Sequence, residues 1–302
     1  MTDSLINRPL AAAASMLFAM LVIGVIDNFI AVIARDISLW QFQILRALMA
    51  LPILALVALL GLSSMRAQRW HLVGLRSMAI AIGMLFYFGA LAFVPIAQAL
   101  AGLFTSPIFV LLITAVLLRQ PIGPVRIFAV VLGFVGILLV LDPDWSALSW
   151  VTFLPVVGGF FYALGSVATR QWCATETTVS MLTGLMLCQM LVSVIALLVL
   201  SGLTLPVPDG TAGFLTRSWV WPATAALPWV LLQAVGSLIG VGFIIRAYQM
   251  ADPTYVAIYE YSIFISAPFT AWLLFDQGIG WMQAVGIALI AAAGIVIAIR
   301  SA

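Results

Sequence analysis

Long apolar runs follow one another along almost the whole chain of 302 residues. Hydrophobic residues make up 65% of the sequence and charged residues only 7%, whereas soluble domains carry charge on about a quarter of their residues. A helix that crosses a membrane needs about 20 consecutive apolar residues. We therefore expect an all-α integral membrane protein with ten transmembrane helices, and little length is left for a soluble domain.

The ten predicted spans are residues 9–34, 38–60, 71–93, 96–118, 124–141, 150–170, 178–201, 227–249, 253–275 and 280–300. The first run is far longer than the apolar core of a signal peptide, and it lacks a plausible cleavage site at its far end. We interpret it as a retained span.

All twelve basic residues are arginines, and cytoplasmic loops of membrane proteins collect such residues. If the N-terminus is inside, the arginines at the inner side are Arg8, Arg66, Arg69, Arg76, Arg119, Arg126, Arg170, Arg246 and Arg300. Arg35 and Arg217 fall outside, and Arg46 lies within a span. The sequence thus predicts a multi-pass protein of the bacterial inner membrane with both termini cytoplasmic.

One short loop occurs twice with its charge changed. The sequence LRQPIG at 118–123 recurs as FDQGIG at 275–280, so that Asp276 stands where the first copy has Arg119. A loop that has lost its arginine should face the opposite side of the membrane. This pattern predicts two inverted five-helix repeats, residues 1–148 and 149–302, an arrangement typical of secondary transporters.

Several motifs resemble those of the drug/metabolite transporter superfamily, in its EamA-type branch. The segment ALAFVPIAQA at 90–99 resembles the start of that family's fourth helix, and SPIF at 106–109 followed by LLRQ at 117–120 resembles its continuation. The second half repeats the theme at 253–261 and 272–277, and Arg46 matches an arginine that the family often carries in its second helix. The family's common Gly-Glu after the fourth and ninth helices is absent, with Arg-Gln and Asp-Gln in its place.

This resemblance implies a carrier of small metabolites that rocks between outward-open and inward-open states and needs no cofactor. Within the superfamily the chain is most similar to aromatic amino acid exporters. The resemblance therefore implies export of aromatic or other neutral amino acids and related metabolites through a central cavity between the repeats.

Ionisable residues inside a membrane are costly, so each one deserves a functional hypothesis. Asp27 and Arg46 lie at matching depths, roughly 10 to 12 Å below the outer ends of their spans. They are expected to form a structural or gating ion pair, or to meet the amine or carboxylate of a substrate. Glu260 has no obvious partner at its own depth. It could bind a substrate amine, carry a proton, or donate a hydrogen bond to a neighbouring helix while protonated.

Transporter sites form near the midplane, where helices are interrupted in corresponding positions of the two halves. Pro107 and Pro268 are the predicted helix breaks. Polar and aromatic side chains near them are the further candidates for the cavity: Tyr87, Gln98, Ser106, Tyr162, Tyr259, Tyr261 and Ser262. The aromatic residues could equally serve ordinary packing.

Other functions are weaker matches to the residue pattern. A membrane-embedded enzyme would need clustered His, Asp, Glu or Ser groups at one depth, and no such cluster or metal-ligand spacing occurs in the sequence. The net charge of +2 offers no basic stripe for nucleic acid. A multidrug or organic-cation carrier, a nucleotide-sugar carrier and a non-transporting receptor remain open. The expected partners are an amino-acid-like substrate and the lipid bilayer, with a monomer favoured over a dimer.

Overall fold

The computed structural model describes residues 8–90, 96–142, 150–203, 205–276, 278 and 280–301. In this part of the chain all regular structure is helical. The α-helices are α1 (Pro9–Asp27), α2 (Ile30–Asp36), α3 (Leu39–Leu59), α4 (Trp70–Ala90), α5 (Ile96–Leu103), α6 (Ser106–Leu112), α7 (Pro124–Leu141), α8 (Leu154–Trp172), α9 (Thr178–Ser201), α10 (Leu227–Met250), α11 (Pro253–Val256), α12 (Ile263–Phe275) and α13 (Trp281–Ser301).

Nine helical stretches within the described residues are long and apolar enough to cross a membrane. The prediction of an all-α membrane protein is confirmed. The sixth expected span corresponds to α8, a helix of 19 residues that is not among those nine. Because α4, α5, α6 and α10 surround α8, its glycines and polar residues face protein rather than lipid, and its surface need not be strongly apolar.

Three expected spans are interrupted. The first span breaks between α1 and α2 at Asn28 and Phe29, and the fourth breaks between α5 and α6. The fourth span then ends in a π-helical turn at Ile113–Leu117. The ninth span contains a 3₁₀ segment, Ala257–Ser262, between α11 and α12. Irregular backbone at membrane depth is tolerated only where protein or a water-filled cavity satisfies it, so these breaks mark the interior of the bundle.

Helix starts follow local chemistry. The Ser38 hydroxyl accepts a hydrogen bond from the Gln41 amide at 3.2 Å at the start of α3, and Thr177 caps α9 in the same way at 3.0 Å from Ser180 N. Proline occupies the first turn of α1, α6, α7, α8, α10 and α11, where its missing N–H costs nothing.

The helix pairs exchange between the two halves of the chain. α1 packs on α10, and these are the first and eighth expected spans. α8 packs on α4, and these are the sixth and third expected spans. α1, the first span, also packs on α12 of the ninth span. In the same way α8, the sixth span, packs on α5 and α6 of the fourth span. Each pair in one half therefore has a counterpart in which the two halves are interchanged. α3 pairs with α9, and α7 pairs with α13. Exchange of two five-helix halves produces this pattern, which fits the two predicted repeats. Their inverted orientation stays a prediction, and the predicted division at residues 148 and 149 lies outside the described residues.

Glycines allow the closest helix approaches. A Cβ added at Gly83 of α4 would lie 2.7 Å from the carbonyl oxygen of Gly158 in α8, and the reverse distance is also 2.7 Å. Gly136 of α7 and Gly286 of α13 meet in the same way, at 2.7 and 2.5 Å. Any larger side chain would push these helices apart. The two crossings therefore fix the α4–α8 and α7–α13 pairs.

For the following description, the end of the bundle where α1 begins is called the arginine-rich end. It contains the connections from α3 to α4, from the fourth span to α7, from α8 to α9 and from α10 to α11. The other end is called the opposite end.

Candidate functional site

Glu260 lies at the centre of a buried cluster of hydroxyl groups. Tyr248 Oη donates to Glu260 Oε1 at 2.7 Å, and Tyr162 Oη donates to the same oxygen at 3.3 Å. Ser106 Oγ donates to Glu260 Oε2 at 3.4 Å. The Glu260 residue is only 1% exposed. We call these four residues the Glu260 cluster.

The cluster joins four different helical elements. Glu260 lies in the 3₁₀ segment of the ninth span, Ser106 in the first turn of α6, Tyr162 in α8 and Tyr248 in α10. Each donor therefore comes from a separate span, and any rocking of one span against another changes the bonds to one carboxyl group. A buried acceptor that loses its donors costs about 1 to 3 kcal/mol, so the cluster couples helix positions to one another.

The expectation that Glu260 lacks a partner is wrong. The sequence argument compared depths of ionisable groups only, and the partners are neutral hydroxyls. It brought Glu260, Ser106 and Tyr162 into one set, but it missed Tyr248. The available signal was the connection of two residues between Met250 and Pro253, which places Tyr248 and Glu260 on adjacent helices of one hairpin.

Three other candidates from the ninth span do not join the cluster. Tyr259 Oη donates to Tyr255 Oη at 3.1 Å, and the ring lies beside Gly294 of α13. Tyr261 is fully buried against Gly133 of α7, and its hydroxyl has no partner among the described residues. Ser262 Oγ donates to the carbonyl oxygen of Tyr259 at 2.7 Å. Because a 3₁₀ turn has three residues, side chains next to Glu260 point to other helices.

The two predicted helix breaks differ. Pro107 lies in the first turn of α6, directly after the break at Phe104 and Thr105. Pro268 lies inside α12, which continues from Ile263 to Phe275, so the predicted break at this proline is wrong. The interruption of the ninth span is the 3₁₀ segment upstream of it. Gln98 belongs to α5, and its side chain falls outside the described part of the structure.

A second set of polar residues lies nearer the opposite end. The Asp27 side chain at the end of α1 is exposed, about nine residues or roughly 13 Å below the end of its span at Asp36. It interacts electrostatically with Arg46 of α3 and with Tyr87 of α4, both of which are half-buried. An exposed carboxylate at this depth, facing two other helices, indicates a polar space inside the bundle. We call Asp27, Arg46, Tyr87 and Gln189 the Asp27 cluster.

Asp27 and Arg46 interact electrostatically without a contact ion pair, and the structural or gating role of the pair stays a prediction. Arg46 Nη2 instead donates to Gln189 Oε1 of α9 at 2.8 Å, and the guanidinium carbon lies 5.2 Å from the centre of the Phe42 ring. The reason is packing, because α3 pairs with α9 and not with α1. Arg46 Nε is buried and has no hydrogen-bond partner among the described residues.

Arg76 is a further buried charge that the sequence analysis assigned to the membrane edge. It is 2% exposed inside α4, and its Nε donates to Thr169 Oγ1 of α8 at 2.8 Å. Arg76 interacts electrostatically with Tyr162, so it lies beside the Glu260 cluster. Its Nη1 has no partner among the described residues. The correction follows from the geometry of α4, which begins at Trp70 and has already entered the bundle at Arg76.

Polar contacts close the arginine-rich end. Gln249 Nε2 donates to the carbonyl oxygens of Cys173 and Glu176, each at 2.9 Å, and Arg170 donates to the carbonyl oxygen of Gln249. The Glu176 carboxylate accepts from the backbone amides of Gln68 and Arg69, at 2.9 and 2.8 Å. These bonds tie the α3–α4 and α8–α9 connections to the end of α10.

One ion pair reinforces the same end. Arg126 Nη1 of α7 lies 3.0 Å from Asp252 Oδ2 and 2.6 Å from Thr254 Oγ1, just before and within α11. Together with the buried Glu260 cluster, these contacts hold the helices together toward the arginine-rich end.

The described residues contain no group of three or more His, Cys, Asp or Glu side chains that could hold a metal ion. Cys173 and Cys188 are free thiols, as the sequence predicts. The chemistry of both clusters is that of hydrogen bonding and charge, and it suits reversible binding of a small polar molecule.

Comparison with known proteins places this architecture among transporters. The chain is 29% identical over 262 residues to a riboflavin transporter of Rhizobium johnstonii, covering 86% of this chain and 79% of the relative. It is 28% identical over 293 residues to a riboflavin transporter of Vibrio cholerae, covering 92% and 88%. An S-adenosylmethionine uptake transporter of Rickettsia conorii is 24% identical, covering 76% and 71%.

The fold also matches that of a solved crystal structure, with a TM-score of 0.75 over 96% of each chain at 16% identity. Residues 10–142 match the model of the EamA-like transporter family. The closer similarity to aromatic amino acid exporters stays a prediction. These matches support the resemblance of the chain to the EamA-type branch of the drug/metabolite transporter superfamily.

Proposed function

We propose that this protein is a secondary transporter that carries a small polar metabolite with a planar aromatic ring, of the flavin type, across the bacterial inner membrane. It alternates access between two inverted five-helix halves. The observation that carries the proposal is the exposed Asp27 carboxylate inside the bundle, opposite Arg46 and Tyr87, above an end closed by polar contacts.

Orientation follows from the arginines. Cytoplasmic segments collect arginine, so the arginine-rich end is cytoplasmic and both termini lie there. The structure then corresponds to an outward-open state, with substrate reaching the Asp27 cluster from outside. In alternating access the site is open to one side at a time. After the opposite end closes over the substrate, the arginine-rich end must open, and this opening would break the polar contacts there.

The substrate class rests on the relatives' names and on the Asp27 cluster. Two relatives that align over most of this chain are named riboflavin transporters. A flavin combines a planar ring, which aromatic side chains can stack on, with carbonyl and hydroxyl groups that need donors and acceptors. The cluster offers the Arg46 guanidinium, the Asp27 carboxylate and the Tyr87 hydroxyl.

Export of neutral amino acids is the second candidate, and one observation favours it. Asp27 and Arg46 carry opposite charges on facing helices without making contact with each other. A zwitterion could place its amine at Asp27 and its carboxylate at Arg46, which replaces the hydration of both groups with paired charges. The relatives' names do not support this substrate.

Counterflow in proteoliposomes tests the function. Purified protein is reconstituted with unlabelled riboflavin inside, and entry of radiolabelled riboflavin is measured with competitors outside: aromatic amino acids, other neutral amino acids and S-adenosylmethionine. We expect riboflavin-dependent flux above empty liposomes. If phenylalanine drives counterflow and riboflavin does not, the second candidate replaces the first. No flux for any solute would contradict the carrier function itself.

The variant Asp27→Asn provides a matched control for the site. It keeps the shape and one acceptor but removes the charge. We expect a zwitterionic or cationic substrate to lose binding strongly, whereas a neutral flavin should retain flux within about tenfold, the effect of one hydrogen bond to a charged group. The same preparation with Asp36→Asn, an exposed residue at the end of α2, should transport like the parent.

A further inference from the structure

A groove on the outer surface of the bundle is lined by residues that belong to neither polar cluster. It has a volume of about 710 Å³ and is formed by α6, the π-helical turn, the following loop and α7. Its apolar wall includes Ile108, Leu111, Ala115, Ile127 and Val131. The exposed wall residues Ile127 and Val131 are 48% and 54% accessible, so the groove opens toward the surroundings of the protein and not toward its interior.

The mouth of the groove is polar and positively charged. Arg119 and Gln120 line it, at the arginine-rich end of the membrane-spanning helices. The Arg119 side chain is exposed, and the ion pair recorded at this end does not involve it. Its backbone has φ of 54°, a left-handed conformation that a non-glycine residue adopts at some cost, and which turns the chain sharply out of the π-helical turn. The charge is thus held at the edge of an apolar channel.

We propose that this groove binds an anionic phospholipid, with its phosphate on Arg119 and an acyl chain along α6 and α7. The apolar wall matches a hydrocarbon chain, and the single free cation at the mouth matches a phosphate. Basic pockets at the ends of membrane helices bind anionic headgroups in this way. The π-helical turn widens the space beside Ala115, because its extra residue per turn displaces the helix surface.

The second half of the chain supplies an internal contrast. Asp276 occupies the position that corresponds to Arg119, with nearly the same φ of 52°. A carboxylate there repels a phosphate, so the lipid site belongs to the first half alone. The asymmetry separates this proposal from general attraction of membrane proteins to lipids, which would act on both halves.

Lipid retention of the purified protein tests the proposal. Native mass spectrometry in detergent, after addition of phosphatidylglycerol or phosphatidylcholine at equal concentration, counts bound lipids. We expect one phosphatidylglycerol to be retained in preference to phosphatidylcholine. Arg119→Ala should lower this retention about fivefold, the effect expected for one arginine near an anionic headgroup, and Arg119→Lys should restore most of it.

Two further variants separate the groove from the charge. Ala115→Trp fills the groove and should lower retention of phosphatidylglycerol, whereas Val116→Trp, its 72% exposed neighbour outside the groove, should not. Arg66→Ala removes another exposed arginine at the same end and should also leave retention unchanged. Thermal unfolding of each variant shows that it is folded. Normal retention by Arg119→Ala, or equal losses in Arg66→Ala and Val116→Trp, would overturn the proposal.

Discussion

Tyr248 and Glu260 face each other across the α10–α11 hairpin, and the tyrosine hydroxyl donates to the carboxyl oxygen at 2.7 Å. This bond is the shortest of the three that Glu260 accepts. Tyr248→Phe should therefore lower both stability and transport. The lost donor leaves a buried acceptor with two longer bonds, and we expect a loss of about 1 to 3 kcal/mol in the free energy of unfolding.

The matched control for this change is Tyr259→Phe. It removes a hydroxyl at the neighbouring position of the ninth span, but that hydroxyl bonds Tyr255 and not Glu260. Thermal unfolding should show a smaller loss for Tyr259→Phe, and counterflow should remain near that of the parent. Equal transport defects in the two variants would show that the Glu260 cluster has no special part in the cycle.

Glu260→Gln tests whether the carboxyl group carries a proton. Glutamine keeps an oxygen that can accept from Tyr248, but it cannot take up or release a proton. We expect uptake driven by a pH gradient to be lost while counterflow at equal pH continues. The titratable groups that interact with Glu260 are the phenols of Tyr162, Tyr248 and Tyr261, and the Arg76 guanidinium lies beside Tyr162. Loss of both activities together would assign Glu260 to substrate binding or to packing.

The long apolar helices could be predicted from the sequence, because lipid imposes both the length and the composition of a spanning segment. The predicted span 124–141 coincides with α7, and the predicted span 178–201 coincides with α9. The repeated loop also has a counterpart in the backbone. Arg119 and Asp276 share the left-handed conformation, although their side chains carry opposite charges.

The contacts between helices could not be predicted in the same way. Hydrophobic runs give the depth of a residue along the membrane normal, but not the direction in which its side chain points. Matching depths therefore suggested Asp27 as the partner of Arg46, whereas the partner is the neutral Gln189. The break after α1 has no proline or glycine, and it is held by Asn28, whose side chain donates to the carbonyl oxygens of Gly24 and Ala267.

Thiol labelling tests the accessibility of the polar interior. In a chain with Cys173 and Cys188 replaced by alanine, Asp27→Cys should react with a membrane-impermeant maleimide added from outside. Ser106→Cys should react far more slowly, because Ser106 is only 1% exposed. Asp27 is exposed, and we expect it to face a space that opens at the opposite end. If the reagent reaches Asp27→Cys only from the cytoplasmic side, the proposed orientation of the resting state is reversed.

Removal of the Arg126–Asp252 pair should open the arginine-rich end without unfolding the protein. The two side chains are 31% and 36% exposed, so water already screens the pair. We expect Arg126→Ala to cost only about 0.2 to 1 kcal/mol in the free energy of unfolding. The conformational effect should be larger than this suggests, because the pair exists only while α7 and the start of α11 are in contact. Labelling of Ser106→Cys from the cytoplasmic side should therefore become faster in Arg126→Ala.

The charge-reversed double variant, Arg126→Asp with Asp252→Arg, decides between a lock and a local packing effect. It restores an ion pair of opposite polarity between the same two positions and should return the labelling rate of Ser106→Cys toward that of the parent. Arg66→Ala, which removes an exposed arginine without an ion pair among the described residues, should leave the rate unchanged. If the double variant labels as fast as Arg126→Ala, attraction between the two positions does not hold the end closed. The buried bonds of Gln249 and Glu176 would then carry the closure, since they tie the α3–α4 and α8–α9 connections to the end of α10.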